Sequence, residues 1–281
     1  MSRARGGAWL LLAPANGWLA LFFGLPLLTV VVISFWKVAD YKLVAALGLQ
    51  NYVTLAQPLY VGILGRTFAI ALIVTAISAL IGYPVAYFLS LKVRRYRILL
   101  LTLIVLPLWT SYLVRTFAWM LVLGSNGVIN FFLLHMGLVD QPVRWLLYSE
   151  FSVILALVHV YIPFFIVPVY TILEKLDRRL IEASYDLGAT PFRTFWTVTF
   201  PLSLPGVAIG CLFVFIPAAG AYVTPQLLGG PNVLMLGGVI ADQFGLVFNY
   251  PFGSALALAL MAGILLGTIL ILRLGRVKGL K

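Results

Sequence analysis

The chain has 281 residues, 63% of them hydrophobic and only 10% charged, where an average soluble domain carries roughly 25% charged residues. So few charges cannot cover a water-facing surface, which excludes an ordinary soluble globular protein and a disordered chain, and the lone Cys211 excludes a disulfide-stapled domain. A net charge of +11 would point to nucleic acid in a soluble protein, so the placement of the charges decides its meaning.

A membrane helix needs about 20 apolar residues. Six runs qualify, at about 10–36, 68–91, 98–123, 151–173, 202–223 and 254–272. Only the third holds an ionisable Asp, Glu, Lys or Arg, namely Arg115. The runs are continuous rather than alternating, and too long for barrel strands, so they read as helices. Arg3, Arg5 and Ala13-Pro14-Ala15 also fit a cleaved signal peptide. The apolar run continues well past that point, so retention as a membrane helix is the expected outcome. The chain reads as an all-α polytopic membrane protein with one transmembrane domain, 1–281.

Six spans put both termini on one side, and the positive-inside rule makes it the cytoplasm. Inner segments then hold 14 of the 19 Lys and Arg residues, including Lys92, Arg94, Arg95, Arg97, Arg178, Arg179 and Arg193. The outer stretches 37–67 and 124–150 are mixed and carry no recognisable chemistry. The stretch 224–253 is rich in Gly and Pro and is expected to be irregular, partly re-entrant or surface-lying.

The inner segment 174–201 is the most informative. Leu176, Leu180, Ala183 and Leu187 recur at spacings of three or four, one face of a short helix. Gly188 suits the left-handed residue that ends such a helix, Thr190 can cap a second one, and Pro191 suits its first position. Phe192 and Phe195 are expected to be exposed at its start. An ordered helix–turn–helix on the inner face is a docking surface for a cytoplasmic partner.

Glu182-Ala183-Ser184, three residues, Gly188-Ala189, then Phe195 and Pro201 resemble the EAA loop of binding-protein-dependent ABC-importer permeases. The resemblance extends over most of the chain from Tyr83. It includes Pro107-Leu108-Trp109-Thr110-Ser111-Tyr112-Leu113-Val114-Arg115, Gly127-Val128-Ile129-Asn130 and Tyr222-Val223-Thr224-Pro225-Gln226-Leu227-Leu228-Gly229-Gly230. There the chain is similar to permeases of polyamine importers, the first permease of spermidine/putrescine systems above all. Related importers of opines, phosphonates and other small solutes share these signatures.

The resemblance implies a type I importer fold with a cytoplasmic coupling helix, in a bacterial inner membrane. Glu182, Ala183, Asp186, Leu187, Gly188, Ala189 and Phe192 would contact an ATP-hydrolysing partner. The implied partners are a homologous second permease, two ATP-binding subunits, a solute-binding protein and the bilayer, with no nucleic acid. No G-x-x-x-x-G-K-[ST] motif occurs, so ATP and Mg belong to the partner; no cofactor, metal or catalytic residue is expected here.

A polycationic solute favours aromatic faces and carboxylates. The path candidates are Trp109, Tyr112, Arg115, Trp119, Tyr222 and Asp242, although aromatics near span ends also form interfacial belts. Arg115 would repel a polyamine unless it is paired. His159 reads as a hydrogen-bonded packing residue. Gly206/Gly210 and Gly263/Gly267 read first as helix-packing pairs. An ion-coupled secondary transporter would need intramembrane acids, and none is present. A membrane enzyme would need a nucleophile, base or metal cluster.

Overall fold

The computed structural model describes residues 14–39, 42–93 and 95–275. The start of the first apolar run (10–13), Arg3, Arg5, Asp40, Arg94, Arg276, Lys278 and Lys281 lie outside these residues. Among the described residues, six helical segments are long and apolar enough to cross a membrane: Pro14–Ser34, Pro58–Lys92, Tyr112–His135, Glu150–Glu174, Pro191–Ala219 and Tyr250–Arg273, the third interrupted by a turn at 124–127.

In chain order the elements are α1 (Pro14–Ser34), an antiparallel hairpin of β1 (Lys37–Ala39) and β2 (Lys42–Val44), α2 (Gln50–Leu55) and α3 (Pro58–Lys92). Then come α4 (Arg97–Trp109), α5 (Tyr112–Leu123), α6 (Val128–His135) and α7 (Glu150–Glu174). The chain continues through α8 (Arg178–Asp186), α9 (Pro191–Ala219), α10 (Leu236–Gly245) and α11 (Tyr250–Leu274).

The third apolar run, expected as one helix, is broken. After Val105 the chain tightens into a 3-10 turn at Leu106–Trp109, and Thr110 is extended with ψ 147°. Pro107 starts the break, because it has no N–H for the helix ladder. The helix expected from Phe68 instead begins at Pro58, a residue preorganised for a first helical turn. The stretch 224–253 is less irregular than its glycines suggest. It forms a π turn at Pro225–Gly229, a 3-10 turn at Gly230–Asn232 and α10.

The chain divides into two compact units. One comprises the residues up to Gly62 together with Val239–Met261; the other comprises Ile63–Gly238 and the residues from Ala262 onward. Within the first, Asn51 Nδ2 donates to the Ser34 and Trp36 carbonyls at 2.8 and 2.9 Å, tying α2 to the end of α1. Tyr60 meets Phe252 edge-on at 4.9 Å between ring centroids.

The second unit holds the main core, centred on α7 and α9. Phe165 of α7 is fully buried, wedged between two glycines. A Cβ at Gly82 of α3 would lie 2.7 Å from the Phe165 ring, and one at Gly210 of α9 would lie 2.9 Å from it. These absent methyl groups let three helices approach closely. Gly206 packs in the same seam, its Cβ position 2.9 Å from Ile172, while Gly263 and Gly267 face the rings of Phe68 and Phe215. Both glycine pairs therefore serve packing. Ion pairs brace α7 at each end: Arg66–Glu150 at 3.3 Å and Arg97–Glu174 at 2.9 Å. Both are partly exposed, and each stabilises by at most about 1 kcal/mol.

Candidate functional site

Two regions of the second unit gather the chemistry. The first is the segment between α7 and α9. The Asp177 carboxylate accepts the Arg179 N–H at 3.0 Å and starts α8. The helix closes with Gly188 N–H donating to the Tyr185 carbonyl (2.8 Å) and Ala189 N–H to the Ser184 carbonyl (3.0 Å). Gly188 has φ +78°, left-handed backbone that costs an L side chain roughly 1–2 kcal/mol. Thr190 Oγ1 then accepts the Arg193 N–H at 3.3 Å, and Pro191 opens α9. Ser184 Oγ and Thr194 Oγ1, 2.9 Å apart, bridge the two helices across the turn.

Glu182, Ala183, Asp186, Leu187, Gly188 and Phe192 are exposed, and Ala189 is half-buried. Leu187 is 88% exposed and Phe192 75%. Large apolar side chains held out by a capped, ordered turn form a surface fit for a protein partner. Phe195, expected to share that exposure, packs instead among aromatic rings. Its centroid lies 5.8 Å from Tyr83, 5.7 Å from Tyr87 and 5.1 Å from Trp196. The reason is tertiary: Phe195 opens a π turn that lies beside the Tyr83–Tyr87 end of α3. A cavity of about 220 Å³ opens here, lined by Tyr87, Lys92, Arg178, Ile181, Glu182 and Tyr185 among others.

The second region lies along α5. Arg115 is buried, 8% exposed. Its guanidinium donates to the Pro107 carbonyl, and to the Thr110 hydroxyl and carbonyl at 2.9 and 3.2 Å. The 3-10 end of the third apolar run gathers these oxygens around the buried cation, the Pro107 carbonyl also accepting the Thr110 N–H at 3.2 Å and hydroxyl at 2.7 Å. One turn away, Tyr112 Oη and Thr224 Oγ1 are 2.6 Å apart, and Thr116 Oγ1 lies 3.5 Å from Thr224 Oγ1. Trp119 Nε1–H donates to His159 Nδ1 of α7 at 3.2 Å. Tyr161 Oη donates to the Pro217 carbonyl at 3.3 Å.

Of the six path candidates, Tyr112, Arg115 and Trp119 share α5 and join this network. Trp109 is 80% exposed beside the helix break, and Tyr222 is half-exposed beyond the end of α9 at Ala219. Asp242 belongs to the other unit, on α10. Sequence reasoning missed Thr116 and Thr224, and it did not connect His159 with Trp119. Only Thr224 had a local signal, a hydroxyl residue directly before Pro225 at a helical start. The region offers hydroxyls, aromatic faces and a paired cation. Among the described residues, no group of three or more His, Cys, Asp or Glu could hold a metal ion.

Residues 78–277 match the family described as the binding-protein-dependent transport system inner membrane component. The chain is 41% identical over 244 residues to the spermidine/putrescine transport system permease protein PotB of Haemophilus influenzae, covering 86% of this chain and 85% of that one. It is 39% identical over 245 residues to PotB of Escherichia coli, covering 87% and 89%. In fold it resembles a chain of a bacterial ABC transporter involved in the import of the acidic polysaccharide alginate, with a TM-score of 0.74 over 99% of both chains at 20% identity. With six apolar helices and a family match across most of its length, the chain belongs to the inner membrane components of binding-protein-dependent transport systems, as a multi-pass permease of the ABC importer class.

Proposed function

We propose that this permease imports polyamines of the spermidine/putrescine class, driven by ATP hydrolysed in a partner subunit. It works with a homologous second permease, two ATP-binding subunits and an external solute-binding protein. Both termini face the cytoplasm, which places α8 on the inner side. When the ATPase dimer closes on ATP, it draws the two coupling helices together and turns the permeases from inward-facing to outward-facing. Glu182, Ala183, Asp186, Leu187, Gly188, Ala189 and Phe192 form the gripped surface.

The observation that carries the coupling assignment is the exposure of Leu187 and Phe192 on a turn whose shape is secured by its own caps. Resemblance over most of the chain to spermidine/putrescine permeases supports the substrate class. Arg115 is compatible with a cationic solute, because its donors are turned onto the Pro107 and Thr110 carbonyls. Tyr112, Trp119, Trp109 and Tyr222 would offer aromatic faces along the path, and Asp242 a carboxylate on α10.

The test is purification of the complex with its cognate ATPase and uptake of radiolabelled spermidine into proteoliposomes. Co-purification, saturable uptake and loss of uptake in Gly188→Asp and Glu182→Lys are expected. Wild-type-like uptake in both variants contradicts the coupling assignment. Uptake of an opine or a phosphonate in place of any polyamine contradicts the substrate class.

A further inference from the structure

We infer that His159 is a positioning residue, whose neutral imidazole fixes the Trp119 indole so that its ring meets a cationic solute on the translocation path. The inference rests on the polyamine reading and adds to it a residue outside the aromatic candidates. An indole Nε1–H can only donate. It points at His159 Nδ1 from 3.2 Å, so that nitrogen must carry a lone pair, and the imidazole proton sits on Nε2. Hydrogen-bond chemistry thus selects one neutral tautomer. The rings meet edge-on, with centroids 5.5 Å apart and an interplanar angle of 76°, which leaves an indole face unobstructed by the imidazole.

His159 lies nine residues into the 25-residue α7, about 13 Å along the helix axis from its start, near mid-membrane. It is exposed there. A polar ring at that depth faces a water-bearing path in preference to lipid. Trp119 is half-buried, one side packed on the core. Arg115, one turn before Trp119 on α5, is itself tied to the Pro107 and Thr110 carbonyls. Protonation of His159 would fill Nδ1, release the indole and set a second positive charge beside the path. Both effects weaken passage of a polycation.

The test uses the whole complex in proteoliposomes, with spermidine uptake measured against concentration and pH for wild type, His159→Gln and His159→Leu. Leu cannot accept the indole N–H, and KM is expected to rise roughly fivefold, the scale of one cation–π contact. Gln offers Oε1 as an acceptor and should restore most of the affinity. In wild type, KM should climb as acidification puts a proton on His159 Nδ1, whereas Gln should remove that climb. If His159→Leu fails to assemble, the pH profiles of wild type and His159→Gln decide alone. Identical profiles, or an unchanged KM in an assembled His159→Leu complex, overturn this inference and leave the substrate reading intact. Absence of any polyamine uptake by the wild type overturns both.

Discussion

The turn between α8 and α9 and the seam between α7 and α9 are built by opposite means. The turn holds itself through local bonds: Asp177 to Arg179, Gly188 to Tyr185, Ala189 to Ser184 and Thr190 to Arg193 all join residues no more than five positions apart. Its apolar side chains are left outside. The seam is made of distant partners, with Gly82, Phe165 and Gly210 brought together from three helices, and its apolar side chains are inside. On the proposed coupling role, a surface that engages and releases another protein needs a shape independent of that partner, and a core that passes on its motion needs contacts that fail together.

Substitution can break this contrast. The largest effect is expected from Gly210→Leu. Even a Cβ there lies 3.0 Å from the Phe165 carbonyl oxygen, and overpacking of this kind costs about 3 kcal/mol. The complex recovered from membranes should fall sharply; full recovery would mean that the seam is not close-packed. Leu187→Asp should do the reverse. At an 88% exposed position, stability should change by less than about 0.5 kcal/mol, while uptake falls at least tenfold for want of a grip on the ATPase. A drop in thermal stability that matches the loss of uptake would erase the distinction. The smallest effect belongs to Arg66→Gln. Its pair with Glu150 is partly exposed, so thermal unfolding should shift by no more than about 1 kcal/mol.

The same contrast explains what could be read from the chain beforehand. Run length located the membrane helices, because lipid imposes a length on each span. Caps and the left-handed glycine located the turn at Gly188, because their partners are near in sequence. The break at Pro107 had a local signal, yet the run's hydrophobicity masked it. Phe195 was misjudged because its neighbours Tyr83 and Tyr87 come from α3. The 224–253 stretch holds more helix than expected because its glycines mark close packing. A Cβ at Gly237 would lie 2.8 Å from the Ala221 carbonyl oxygen, and one at Gly229 would lie 2.7 Å from Val233. The Tyr112–Thr224 and Trp119–His159 pairs span 112 and 40 residues, and no local pattern announces them.

The central claim is that this permease converts ATP hydrolysis into polyamine import through the exposed turn at Gly188. The most direct measurement compares spermidine taken up per ATP hydrolysed in proteoliposomes bearing wild-type or Gly188→Asp complexes. ATP-dependent uptake by the wild type, with at least a tenfold lower ratio in an assembled Gly188→Asp complex, is the predicted result. An unchanged ratio in that variant, or wild-type uptake that does not depend on ATP, would contradict the account.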